Sequence, residues 1–407
     1  MAMTPRERFV RTLTFGAPDR VYYEFGLPRR ATMEAWYLQG LPRMSAAGDY
    51  SYPPELRAFV GMDPSFWQAV VPVNLGIYPA FEERILEETG RGRVWSDANG
   101  ITMLDAGAHL NTPGFRTRSY VAHPVRTRAD WLQMRPRFDP STLVRYPENW
   151  DAQAAALRQR DDPIMMTVNS LFWKARDWVG FEDLCRMLYD DPRLVHDMME
   201  HVTEFIMEVL ERALRDVGLD AVMLNEDMSY KTASMISPAM FREFMLPRYK
   251  RLVAFFKRHN VSVVLVDSDG CVAQLIPLWL EAGIDATFPI EAAAANDVIA
   301  YRQKYGKRLG FFGCIDKREI RSRERTFIEV MRKVPWLIEQ GGYLPSIDHA
   351  VPPDVPLRSY LYMCELIKAL AEVRPVPGPE ARLEIEDRLG SIQRMWDPSM
   401  ESDAQEH

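Results

Sequence analysis

Cysteine is scarce. The chain has four in 407 residues (Cys185, Cys271, Cys314 and Cys364), and none forms a CxxC pair. A disulfide scaffold and a thiol-rich metal knuckle are excluded. Long apolar runs are also missing, and no stretch reaches the roughly 20 uninterrupted apolar residues of a membrane helix. Positive charge is not in excess: 50 Lys and Arg against 57 Asp and Glu leave a formal charge of −7. A general nucleic-acid binder needs basic surface to neutralise phosphates, so that class is disfavoured. The opening MAMTPRERF holds no apolar signal core. A cytoplasmic protein with no membrane or nucleic-acid partner is expected. Gly-x-Ser-x-Gly, HExxH and P-loop motifs are absent, which removes serine hydrolases, zincins and P-loop kinases.

What is present is globular. Apolar residues are 47% and charged residues 26%, too apolar for a largely unfolded chain. Thr4, Pro5 and Glu7 form a helix-start box. From about residue 160, apolar runs at 164–168, 221–224, 261–266, 284–288, 309–312 and 343–347 alternate with amphipathic helical stretches. That alternation means parallel strands with helical crossovers. Adding runs at 21–25 and 71–77 makes eight strands, the number that closes a (β/α)8 TIM barrel. A doubly wound open sheet is the alternative, weakened because no GxGxxG follows an early strand. Residues 1–373 are expected to form this single barrel. A small antiparallel hairpin insertion is expected at about 80–110, with Asn99 and Gly100 as its two-residue turn. A C-terminal extension, 374–407, should be a helix followed by a disordered tail.

In such a barrel the site lies where the strands end. Asn169 follows the 164–168 run, with Trp173 soon after. Glu226 and Asp227 follow 221–224, with Tyr230 beyond. Asp267 and Asp269 follow 261–266, Cys314 and Asp316 follow 309–312, and Asp348 and His349 follow 343–347. Converged carboxylates can do acid–base work, because crowding and burial raise some of their pKa values. They can also hold a divalent metal. Each has a plainer reading beside it. Asp269 and Asp316 also suit helix caps, and Cys314 also suits a packed thiol. Neighbours alternate along a strand, so Glu226 and Asp227 cannot both point inward, and Glu226 is preferred. Among seven histidines, His349 alone follows a barrel strand. Asp267, His349 and Glu226 are therefore the catalytic candidates. Asn169, Asp269, Cys314 and Asp316 are the substrate-binding candidates.

Several stretches carry a family resemblance. They are TPRER at 4–8 with PDR at 18–20, LVDSDG at 265–270, IPLWLEAGID at 276–285, FPIE at 288–291, GCIDKR at 313–318 and GGYLPSIDHAVPPD at 341–354. Together they resemble the uroporphyrinogen decarboxylase superfamily over about residues 4–372. The resemblance implies a TIM barrel and one of two chemistries. One is decarboxylation of uroporphyrinogen acetate arms without a cofactor. The other is methyl transfer involving corrinoid proteins, with a thiol or tetrahydrofolate as acceptor. Decarboxylases of the family carry an early Arg-Gln-Ala-Gly-Arg stretch, where this chain reads FGLPRR at 25–30. Zinc-dependent thiol methyltransferases carry His-x-Cys where this chain has Asp267 and Asp269, so the usual zinc thiolates are missing. A mixed metal site from Glu226, Asp267, Cys314 and His349 is the remaining zinc candidate. The resemblance is closest to corrinoid- and folate-linked methyltransferases without the zinc motif. It implies a corrinoid (cobalamin) carried on a partner protein, and/or tetrahydrofolate, as cofactor. A small methylated or methoxylated substrate and a homodimer are expected with it, and the resemblance to folate-linked members implies Trp173 and Tyr230 as substrate-binding aromatics that stack on a flat pterin ring.

Overall fold

The computed structural model of the chain describes residues 3–45, 53–67, 71–107 and 118–396. Two compact units emerge, one of residues 66–288 and one of 1–65 with 289–407.

The 66–288 unit holds an antiparallel sheet and four parallel strands. The antiparallel sheet runs β1 (Arg84–Thr89), β2 (Gly92–Ser96), β3 (Thr102–Ala106) and β4 (Arg118–Ala122), in that order. The insertion is thus larger than one hairpin. Its tight two-residue connection is Gly90 and Arg91, not Asn99 and Gly100. The reason is Asp97, whose carboxylate accepts the N–H groups of Asn99 and Ile101, both at 2.9 Å. That side-chain turn widens the β2–β3 loop. The parallel strands are β5 (Met165–Asn169), β6 (Ala221–Asn225), β7 (Val263–Asp267) and β8 (Ala286–Phe288). They pair in sequence order. The interiors of β6 and β7 are continuous buried apolar runs, Ala221 to Leu224 and Val263 to Val266, as expected of parallel strands covered on both faces. The 25-residue helix Pro192–Asp216 follows β5 in the chain and buries Val202, Phe205 and Ile206.

The second unit contains β9 (Gly310–Ile315) and β10 (Tyr343–Ile347), parallel neighbours joined through helix Arg323–Gln340. Helix Pro5–Leu13 opens on the expected Thr4–Glu7 box. Helix Leu357–Ala371 follows β10 in the chain and is largely buried. The tail helix Glu384–Trp396 matches expectation, and residues 397–407 lie outside the described residues.

The two early runs form no regular strands. The Tyr22 N–H donates to Thr12 Oγ1 at 3.1 Å and the Tyr23 N–H to Asp63 at 2.8 Å, so side chains take the bonds a ladder would use. The segment still runs beside the end of β10. The Ile347 N–H donates to the Phe25 carbonyl at 3.4 Å and the Val351 N–H to Leu27 at 2.7 Å. In the other unit the Asn74 N–H donates to the Arg145 carbonyl rather than to a strand. Among the described residues, no helix is long and apolar enough to cross a membrane.

Candidate functional site

In the 66–288 unit, parallel pairing aligns the last residues of four strands. Asn169 pairs with Asn225, Asn225 with Asp267, and Asp267 with Phe288. Residues in register point to one face, so these four side chains form a row. The Asn225 amide donates to Asn169 Oδ1 at 3.2 Å within it. Each of the four is partly exposed, whereas the residue before it is buried. The Phe288 ring packs against Trp67, 5.6 Å between centroids.

Asp267 is the unusual member. Its carboxyl has no hydrogen-bond or ion-pair partner among the described residues. Burial pushes its pKa well above the ordinary carboxylate value, and the charges of Asp269 and Asp227 push the same way. The backbone around it is tightly built. The Asp267 carbonyl accepts the N–H groups of both Glu226 (3.0 Å) and Asp227 (3.2 Å). Asp227 takes φ 41°, in the left-handed region. Gly270 has φ +83°, and a Cβ there would sit 2.6 Å from the Tyr230 carbonyl oxygen. Only glycine lets the 267–270 turn rest on the 229–230 loop. Tyr230 is left 55% exposed above it.

Alternation decides between Glu226 and Asp227. Glu226 is completely buried and points into the start of helix Leu171–Val179. It accepts the N–H groups of Leu171 (3.1 Å), Phe172 (2.7 Å) and Trp173 (3.1 Å), and the Tyr249 hydroxyl (2.7 Å). Four donors fill the roughly four lone-pair sites of a carboxylate. Burial pushes the Glu226 pKa up, and these bonds pull against it. The geometry is that of a helix cap delivered from a neighbouring strand, with the negative charge at the positive end of the helix. Asp227 instead faces Arg176 at 3.6 Å, and Arg176 Nη1 donates to the Asp227 carbonyl at 2.6 Å. The Arg176 guanidinium also lies 4.9 Å from the Trp173 ring.

The other unit holds the remaining candidates. Cys314 is 1% exposed with φ 79°, and burial pushes its thiol pKa far up. A thiol in that state is a poor ligand or nucleophile. Asp316 caps the turn Lys317–Glu319, accepting the Arg318 N–H at 2.9 Å and pairing with its guanidinium at 2.7 Å. Burial raises the Asp316 pKa, but Arg318 outweighs it and the net shift is down. Asp348 is fully buried and accepts the N–H groups of Ala292 (2.9 Å) and Lys317 (3.3 Å). Lys317 Nζ donates to Glu291 at 2.9 Å and lies 3.5 Å from Asp348. His349 follows it, partly exposed.

Among the described residues, no group of three or more His, Cys, Asp and Glu side chains is arranged to hold a metal ion. Sequence reasoning passed over Asn225, Lys317 and Glu291. Asn225 carried a signal, since it ends its apolar run as Asp267 ends the next.

Comparison with known proteins follows from this geometry. A family model described as uroporphyrinogen decarboxylase (URO-D) matches residues 102–370. A uroporphyrinogen decarboxylase of Anaeromyxobacter sp. is 24% identical over 261 residues, 62% of this chain and 71% of that protein. One of Geobacter metallireducens is 23% identical over 203 residues, 49% of this chain and 55% of that protein. The chain thus spans about half of the latter relative's length. Among solved structures, a methyltransferase from Methanosarcina mazei superposes with a TM-score of 0.51 at 14% identity, covering 91% of this chain and 99% of that one. That likeness shows the fold alone, the α/β TIM-barrel class expected from the strand count.

Proposed function

This chain belongs to the uroporphyrinogen decarboxylase family, and from that premise we propose that it is an enzyme of methyl transfer. Its substrates would be a corrinoid and either tetrahydrofolate or a small methylated or methoxylated compound. The observation that most supports this is Asp267, a strand-end carboxyl without a partner among the described residues, pushed toward its protonated form by burial and two neighbouring acids. Such an acid can protonate the oxygen or nitrogen that loses a methyl group. Asn169 and Asn225, in the same row, offer amide groups to the polar edge of a flat ring. Trp173 and the Trp67–Phe288 pair offer aromatic faces. This donor set fits a pterin. A bound corrinoid would supply the cobalt that carries the methyl group. Zinc fits poorly: Glu226 has its lone pairs filled, and Cys314 is held as a thiol. No step is assigned to zinc. His349, beside the buried Asp348, is proposed as a second acid–base group.

The names of the curated relatives favour a second reading, decarboxylation of a polycarboxylate without a cofactor. Asp267 would then protonate the carbon left by departing carbon dioxide, and Arg29 or Arg30 would hold a carboxylate. Mixing the protein with methylcob(III)alamin and tetrahydrofolate, thiol or phenol acceptors separates the two. Demethylation of the cobalamin, read by absorbance, is expected. An unchanged spectrum with every acceptor, together with carbon dioxide release that depends on Arg29 or Arg30, overturns the methyltransferase reading.

A further inference from the structure

A cavity of about 270 Å³ lies at the opposite end of β10 from His349. Its walls come from the end of helix Pro5–Leu13, the 15–21 loop, the end of helix Arg323–Gln340 and the start of β10. Cations dominate its charge. The side chains of Arg11 and Lys307 on the wall make no hydrogen bond or ion pair among the described residues. Arg20 also lines it, held by two 2.7 Å bonds to Asp63.

Behind the wall, Arg302 lies 4.7 Å from the Phe15 ring. Arg302 is 3% exposed and donates to the carbonyls of Gly306, Leu309 and Gly342, and among the described residues no carboxylate pairs with it. Two carboxylates line the cavity. Asp19 is neutralised by Arg8 at 2.7 Å, which leaves exposed Glu339 as the uncommitted acid of the lining, while Arg11 also feels the charge of Glu7 on its own helix. The loop is also strained, since Phe15 (φ 61°) and Ala17 (φ 48°) both take left-handed backbone without being glycine. Strain of this kind persists where the surroundings impose it, and it gathers at ligand clamps.

We propose that this cavity binds a small ligand carrying a dianionic oxyanion group, with Arg11 and Lys307 as its charged contacts and Phe15 as its apolar wall. The oxyanion can be a phosphate or a pair of carboxylates, both of which cationic side chains recognise by charge-assisted hydrogen bonds. The site does not depend on the methyl-transfer reading. Calorimetric titration of the full chain at low ionic strength, with inorganic phosphate in one arm and succinate in the other, tests it. Saturable one-to-one heat is expected in at least one arm, and the responding arm identifies the oxyanion. Affinity should fall about tenfold in the Arg11→Gln/Lys307→Gln variant and fall with added salt. Both residues are exposed, so folding should survive, and a thermal melt checks this. His349→Ala should bind as the wild type does. No saturable heat in either arm, or equal affinity in the double variant, overturns the proposal.

Discussion

Replacing Glu226 by Gln separates a structural carboxylate from a catalytic one. The wild-type carboxylate accepts three backbone N–H groups and one hydroxyl while fully buried. A Gln side chain offers one acceptor oxygen. Its best pose places that oxygen toward Phe172 and Trp173 and its amide toward Tyr249, whose hydroxyl can turn to accept. The Leu171 N–H is then left buried and unpaired, which costs about 1–3 kcal/mol. Losing the negative charge at the helix start adds about 0.5–2 kcal/mol, offset in part because the burial of that charge is relieved. The expected loss is therefore about 2–4 kcal/mol, read as a lower midpoint in equilibrium urea unfolding. Glu226→Ala strands all four donors and leaves a cavity, so it should be worse. In both variants activity per folded molecule should fall far less than in Asp267→Asn. A Glu226→Gln protein as stable as the wild type but inactive would refute the capping role and return Glu226 to the chemistry.

Other outcomes follow from the same geometry. Asp267 binds its proton more tightly folded than unfolded, so wild-type stability should decline as pH rises from about 4 toward its elevated folded pKa. Asp267→Asn should flatten that decline in pH-dependent unfolding, and it should be at least as stable as the wild type near neutrality. Asp316→Ala should lose about 1 kcal/mol through its cap, with the KM for any substrate unchanged. A thiol-reactive dye should leave the buried Cys314 and Cys364 silent in the native protein while the partly exposed Cys185 reacts, as peptide mapping would show.

The parallel strands were legible because their apolar runs are continuous and bounded by polar ends, as in VVLVD from Val263 to Asp267. The early runs were read as strands on composition alone. Composition could not show that Thr12 and Asp63 take the backbone donors of Tyr22 and Tyr23. Alternation correctly said that Glu226 and Asp227 point apart. It could not say that the face Glu226 takes is the start of a neighbouring helix, because that contact joins residues more than fifty apart in the chain. Register was hidden for the same reason. Nothing local to Asn225 says that it pairs with both Asn169 and Asp267. Asp267 was legible because an acid directly ending a buried apolar run has few other uses.

The most direct measurement is the pH dependence of kcat/KM for methyl transfer from methyltetrahydrofolate to cob(I)alamin in the wild type and in Asp267→Asn. If Asp267 is the proton donor, the wild-type rate falls as pH rises through its elevated pKa. The variant then loses most activity, and that limb disappears from what remains. A variant with wild-type rates, or with the same pH limb, contradicts the assignment of Asp267 as the acid.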